Sequence, residues 1–228
     1  MENSISTFFP AMNEENTVAP LTRDLLRVLS EFKRREVIII NDGSTDRTRQ
    51  IADELCRRNN GNVRAIHRDR SSGYGDALKA GFEASRYDLI FFTDGDYQFD
   101  MDDLRTALSH IRENDIVVGY RQGRKDSTHR IWLSKGYNLL IRVLFGLKLM
   151  DIDCSFKLFK RTALEKITIE SSGYFIDTEL MVKAKKLGLR IQEFGVTHLP
   201  RAYGVSKVKM KHIFLTLHEI AKLWRKLH

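Results

Sequence analysis

Cysteine is nearly absent: Cys56 and Cys154 are the only two among 228 residues. That excludes a disulfide-stapled secreted scaffold and fits a reducing compartment. Proline is almost as scarce, with three residues. No Pro-rich or low-complexity linker and no internal repeat divides the chain. No uninterrupted apolar run approaches the ~20 residues that a membrane-spanning helix needs. The first residues, MENSISTFFPAMNEE, start polar and turn acidic, the wrong order for a secretory signal. A cytoplasmic protein is expected, either free or peripheral on the cytosolic face of a membrane.

What is present is the balance of a folded domain. The 42% hydrophobic and 30% charged shares argue against disorder, and the length suits one generous domain. The net charge is +8, with Arg and Lys gathered in residues 121–148 and 201–228. Such clustering serves solvation or a polyanionic partner: nucleic acid, phosphate groups or an anionic membrane face. The basic residues carry no nucleic-acid motif and no aromatic ladder, so nucleic acid is not the expected partner.

Strand-like runs recur at 4–9, 36–41, 62–67, 88–94 and 115–120, with helix-like stretches at 15–34, 45–59, 76–86 and 101–113. This alternation predicts an α/β fold: right-handed crossover units and a mainly parallel sheet with helices on both faces. Ser44 or Thr45 is the predicted cap of the second helix, whose apolar positions are Ile51, Ala52 and Leu55. Segment 131–150 is apolar but contains Gly136 and Gly146, which argue against one continuous helix. In the tail, Ile213, Leu217, Ile220, Trp224 and Leu227 share one face of a basic amphipathic helix. Such a helix either lies in a membrane interface or packs on its own domain. The organisation expected is a single domain over 1–210 and this tail over 211–228.

Polar groups trail the apolar strands. Asn13 and Glu14, Asn41 and Asp42, and Asp94 and Asp96 follow three separate runs, aiming at the rim where such sheets bind ligands. In DLIFFTDGDYQFD the apolar LIFF delivers the chain straight into carboxylates. If the backbone stays extended, Asp94, Asp96 and Gln98 point to one side. Their hard oxygens suit Mg²⁺ or Mn²⁺. The other reading is a polar strand end, with Asp100 or Asp102 capping the next helix.

Taken in order, FPAMNEE, IIINDGSTDRT, RSSGYGDALKAGF and FFTDGDYQF resemble the glycosyltransferase family 2 enzymes, with their GT-A fold. GYR, RIWLSKGYN, DIDCSFKLFKR, GYFIDTEL and RAYGVSK extend the resemblance to the dolichyl- or polyprenyl-phosphate sugar transferase branch, over roughly residues 4 to 208. The resemblance implies a nucleotide-contacting loop of Pro10, Ala11, Met12, Asn13 and Glu14, with Met12 where the family often has Tyr. It implies that Asp42 reaches the nucleoside and that Asp94, Asp96 and Gln98 hold a metal. Gly73 and Gly75 match a glycine pair near the nucleotide, or simply open a helix. Arg121, Arg130, Ser134, Arg201 and Lys207 are implied to hold the acceptor phosphate or donor diphosphate. Asp177 or Glu179 is implied to lie near the donor sugar.

The implied reaction is an inverting, metal-dependent transfer of a hexose from a GDP- or UDP-linked sugar to a polyprenyl (dolichyl or undecaprenyl) phosphate. A bound cation stabilises the departing diphosphate. A phosphate acceptor is already anionic near pH 7 and needs cations rather than a base. The alternative, a glycan or small-molecule hydroxyl acceptor, needs a base, for which Asp153 or Asp177 is the candidate. His198 reads as structural, and Cys154 has no evident His partner to make it a nucleophile. Segment 131–150 and the tail would rest on the membrane beside the lipid.

Overall fold

Val, Ile and Phe crowd the five predicted strands, and each becomes part of one sheet in the computed structural model. The structure describes residues 4–124, 128–203 and 210–227, apart from the side chains of 129, 130 and 210–214. The strands are β1 (Ser4–Ala11), β2 (Arg34–Asp42), β3 (Val63–Arg68), β4 (Leu89–Phe92), β5 (Ile116–Gln122), β6 (Lys157–Lys160) and β7 (Ile191–Thr197). They lie in the order β3-β2-β1-β4-β6-β5-β7. All neighbours are parallel except β6, which runs against β4 and β5. The chain winds outward from β1 to β3, then returns to the other side of β1 for β4. That reversal opens a crevice beyond the carboxyl ends of β1 and β4, the place where open sheets bind ligands.

Side chains alternate between two layers with period two. Phe8, Ile38, Ile40, Ile90 and Phe92 face one core, while Phe9, Val37, Ile39, Leu89 and Phe91 face the other. Helices α1 (Val18–Val28), α2 (Thr48–Arg58) and α4 (Asp103–His110) cover the second core. The first is covered by α3 (Tyr74–Ala84), α5 (Thr128–Phe145), α6 (Arg161–Leu164), α7 (Ile176–Lys186) and α8 (Met210–Leu227). A strand covered on both faces has no solvent side, which is why LIFF reads as an unbroken apolar run.

Two local expectations change. Helix α2 starts at Thr48, whose N–H is accepted by Asp46 Oδ1 at 2.9 Å. Ser44 and Thr45 turn away to bond Asn13 instead. Helix α5 is continuous through Gly136, around which a side chain would meet nothing within 4 Å. It ends at Gly146, whose φ of +63° suits the left-handed position that closes a helix.

The tail packs on the domain. Ile220 and Leu223 are buried, Leu227 is partly so, and Lys226 bonds Glu170. The buried line runs through Leu223, leaving Leu217 and Trp224 exposed. Strands β6 and β7 escape a reading by apolar runs. β6 carries Lys157 and Lys160, and edge strand β7 alternates Gln192 with half-buried neighbours. No helix among the described residues is long and apolar enough to cross a membrane.

Two glycines test this packing. A Cβ on Gly81 would lie 2.1 Å from the Phe8 ring, whereas Gly136 borders open space. Gly81→Ala is expected to lose about 1–3 kcal/mol in urea denaturation through overpacking. Gly136→Ala is expected to gain about 0.5–1 kcal/mol, since alanine restricts the unfolded chain and favours helix.

Candidate active site

At the reversal point the loops after β1 and β4 press together. A Cβ on Gly95 would sit 2.4 Å from the Pro10 carbonyl oxygen, so only glycine admits this approach. The Thr17 hydroxyl donates to the Gly95 carbonyl at 2.7 Å. The loop after β1 is also laced to that after β2. Asn13 N–H donates to Ser44 Oγ at 3.0 Å, Thr45 N–H to Asn13 Oδ1 at 2.8 Å, and Glu14 N–H to Thr48 Oγ1 at 2.8 Å. Pro10, Ala11, Met12, Asn13 and Glu14 therefore form one wall with Asp42. Asp42 accepts from the Ser71 hydroxyl at 2.6 Å and lies 3.2 Å from Arg68.

The acidic turn departs from the expected geometry. β4 stops at Phe92, residues 95 and 96 form a turn, and Tyr97 has φ +57°. The extended, every-second-residue argument therefore fails. Asp94 and Asp96 nonetheless remain electrostatic neighbours. Asp94 accepts from the Tyr74 hydroxyl at 2.9 Å and from the Ser155 hydroxyl. Asp96 accepts from Arg201 NH2, and Gln98 Oε1 accepts from Arg201 Nε at 3.1 Å. Burial first, then the Asp94 charge, pushes the Asp96 carboxyl up to about 7, with Glu14 adding to the rise and Arg201 opposing it. A half-buried carboxylate beside like charge fits a further cation. The hard oxygens of Asp94, Asp96 and Gln98 suit Mg²⁺ or Mn²⁺. No cluster of three or more His, Cys, Asp or Glu is assembled among the described residues. A cation here would draw its remaining ligands from phosphate or water.

The glycine pair has a packing role. A Cβ on Gly75 would lie 2.5 Å from Ser172 C, and one on Gly73 2.9 Å from Ser172 O. Both admit the backbone of 172–173 against the start of α3. Next to it Tyr74 and Tyr174 stack with ring centres 5.2 Å apart.

A basic cluster forms beyond β5. Arg121 forks onto Asp151 with two bonds of 2.7 Å, and Arg124 donates to Ser134 Oγ at 2.9 Å while lying 3.9 Å from Asp151. Arg121 and Ser134 thus share a cluster with Arg124, a residue the sequence reading did not single out. Its signal was its place in RQGRK, directly after the strand. The side chain of Arg130 and all of Lys207 lie outside the described residues.

Asp177 and Glu179 have internal partners. Buried Lys157 donates to Asp177 and to the Cys154 carbonyl. Glu179 accepts from the N–H groups of Glu170 and Ser171 and from Lys183. Both carboxylates are buried on these partners. Asp153 differs: it is open to solvent, yet close packing, then the charges of Asp177 and Asp151, push it up to about 7. Water on its open side weakens that push, while the two like charges fix its direction. His198 is buried with its ring against Phe99. Burial drives the Cys154 thiol upward, leaving it unreactive.

A mainly parallel sheet with an acidic turn at its reversal point is the architecture of the GT-A fold. Glucosyl-3-phosphoglycerate synthase from Mycobacterium tuberculosis, in complex with Mn²⁺ and UDP-glucose, superposes with a TM-score of 0.75. The identity is 19%, covering 96% of this chain and 79% of that one. Residues 6–168 match the model of glycosyl transferase family 2. Glycosyltransferase AglD of Haloferax volcanii is 33% identical over 96% of this chain and 37% of its own length. Dodecaprenyl-phosphate galacturonate synthase of Rhizobium johnstonii is 33% identical, over 92% and 63%. Undecaprenyl-phosphate mannosyltransferase of Micrococcus luteus is 30% identical, over 90% and 87%. The chain therefore spans less than two thirds of the first two relatives. It belongs to glycosyl transferase family 2.

Two measurements check these charges. Lys157→Met leaves Asp177 unpaired and is expected to cost about 3–5 kcal/mol in urea denaturation. Adding Asp177→Leu should restore most of it. For Asp153, the native carboxyl binds its proton up to about pH 7, whereas the unfolded one releases it near 3.9. The folded state holds more protons between these values, so this group's contribution to stability is lost as pH rises through that window. The Tm advantage of Asp153→Asn over the parent should therefore grow from pH 4 to pH 7 and level off above it.

Proposed function

We propose that the chain moves a hexose from a nucleotide sugar to a polyprenyl phosphate, with inversion at the anomeric carbon. The observation that carries this reading is the crowding of Asp94 and Asp96, with Gln98, in one turn at the sheet's reversal point. The names of two relatives, a dodecaprenyl-phosphate galacturonate synthase and an undecaprenyl-phosphate mannosyltransferase, support the acceptor class.

The Pro10–Glu14 wall and Asp42 take the nucleoside, and the acidic turn takes the diphosphate end. A divalent cation bound there supplies Lewis-acid stabilisation of the leaving diphosphate. The acceptor phosphate has a second pKa near 6 and attacks without a base. Arg121, held by Asp151, and Arg124 beside Ser134 lend positive charge to the place where it docks. One anomeric C–O bond breaks as another forms on the opposite face, and nucleoside diphosphate departs. A second reading rests on Asp153, a solvent-open carboxyl near 7, which suits a general base for a hydroxyl acceptor.

The acceptor lipid explains the exposed side of α5. Trp132, Leu139 and Val143 are 69%, 60% and 73% exposed. Their spacing of seven and four residues sets them on one stripe. Lys135 lies 5.5 Å from the Trp132 ring centre, joining a cation to the apolar stripe as a membrane interface requires.

The decisive assay follows nucleoside diphosphate release from UDP- and GDP-sugars with Mn²⁺ or Mg²⁺, with and without polyprenyl phosphate. Release should require the lipid phosphate and fall about 100-fold or more in Asp96→Ala. Release that instead follows a hydroxyl acceptor and collapses in Asp153→Asn supports the second reading and rejects the first. For the membrane face, Trp132→Ser with Val143→Ser should weaken flotation with phosphatidylglycerol vesicles by about tenfold or more. Unchanged flotation would remove α5 from the interface.

A further inference from the structure

The residue that touches the proposed cation ligands is itself a cation. Arg201 donates from NH2 to Asp96 Oδ2 and from Nε to Gln98 Oε1. Its delivery is built into the backbone. His198 pairs with Phe99 in an antiparallel bridge, and Leu199 N–H donates to the Gln98 carbonyl at 2.8 Å. Two residues later Arg201 reaches back over the acidic turn, its side chain only 25% exposed and that of Asp96 12%.

We infer that Arg201 and a divalent cation compete for the same oxygens, those of Asp96 and Gln98, so that loading the cation expels the guanidinium. This rests on the metal reading of the acidic turn given above.

Three features carry it. The Gln98 amide is fixed from its other end, since Nε2 donates to the Leu199 carbonyl at 3.2 Å. Its Oε1 therefore stays aimed at the turn when Arg201 leaves. Asp94 is satisfied by hydroxyls from Tyr74 and Ser155, which add no positive charge. Asp94 and Glu14 thus press like charge onto Asp96 while Arg201 offsets it. A divalent ion brings twice the charge of a guanidinium to the same place. Finally, an ion bound at ~2.1 Å to these oxygens leaves no room for a guanidinium on the same lone pairs, and the two cations repel.

The exchange has a consequence for the reaction. The expelled guanidinium stays tethered at Leu199, within reach of the crevice. Its forked donors then match the phosphate oxygens that arrive with the cation. Arg201 passes from carboxylate to phosphate, so a phosphate-holding arginine becomes available only once the turn is loaded.

The test is Mn²⁺ binding to the full chain without nucleotide, read from the electron paramagnetic resonance signal of free Mn²⁺. Arg201→Ala and Arg201→Gln should each lower the Mn²⁺ dissociation constant by about tenfold or more, the scale of a lost charge-assisted bond. Asp96→Asn should abolish the site. In the parent protein, Mn²⁺ should raise modification of Arg201 by phenylglyoxal several-fold, read by peptide mass spectrometry, which needs no variant to fold. Mn²⁺ binding that needs Asp96 but is unchanged or weaker without Arg201, or labelling that does not rise, overturns the competition and leaves the metal reading standing. Absence of Asp96-dependent Mn²⁺ binding in every variant overturns both.

Discussion

Carboxylates gather at one end of a sheet that is covered on both faces, and each must be neutralised there. The reversal of winding between β1 and β4 forces the gathering, because it brings the Asp94–Asp96 turn against the Pro10–Glu14 loop at the closest approach glycine allows. The partners differ with depth. Asp177, sealed beneath the crevice, has a buried lysine, and Asp151 has the fork of Arg121. Asp94 has the hydroxyls of Tyr74 and Ser155, and Asp96 has an arginine from a distant segment. Breaking the deep pairs would strand a charge in the interior at a cost of several kcal/mol. The rim pairs lie closer to solvent and to incoming ligands. That gradient separates the charges that hold the fold from those that can change partner.

The sequence disclosed the sheet more readily than the site. Unbroken apolar runs such as III and LIFF mark strands covered on both faces, and five of the seven strands show as strand-like runs of one kind or another. β6 does not, because its Lys157 is neutralised by Asp177, twenty residues further on. No local pattern reveals a pair of that separation. Gly136 misled for a related reason. Propensity penalises it, but Ile141 and its neighbours anchor α5 from the other side, and tertiary packing overrides propensity.

Around the acidic turn, the residues were legible and the geometry was not. Asp94 and Asp96 stand out by their place after an apolar strand. The reasoning that they project from an extended chain is defeated by the turn at residues 95 and 96, and the left-handed φ of Tyr97 then redirects Gln98. Asp177 and Glu179 stood out by resemblance, yet Lys157, the backbone of 170–171 and Lys183 engage them. Arg124 was hidden among neighbouring cations until Ser134 Oγ picked it out.

Helix α5 joins the two halves of the proposed chemistry. Ser134, which accepts from Arg124, is two residues from Trp132, at the head of the exposed apolar stripe. An acceptor with an anionic head and a long apolar tail needs both kinds of surface within a few ångströms, held in fixed relation. Side chains on one helix keep their spacing and direction, so a rigid helix meets that need better than two loops. It is fixed to the domain through buried Ile141 and by Asn138, which donates to the Met150 carbonyl and accepts from Ile152 N–H. Met150 and Ile152 flank Asp151, the carboxylate that holds Arg121. A soluble hydroxyl acceptor would give no reason for Trp132, Leu139 and Val143 to face water at the cost of exposed apolar area. On the proposed reading, one helix thus carries both the phosphate-facing and the lipid-facing side chains.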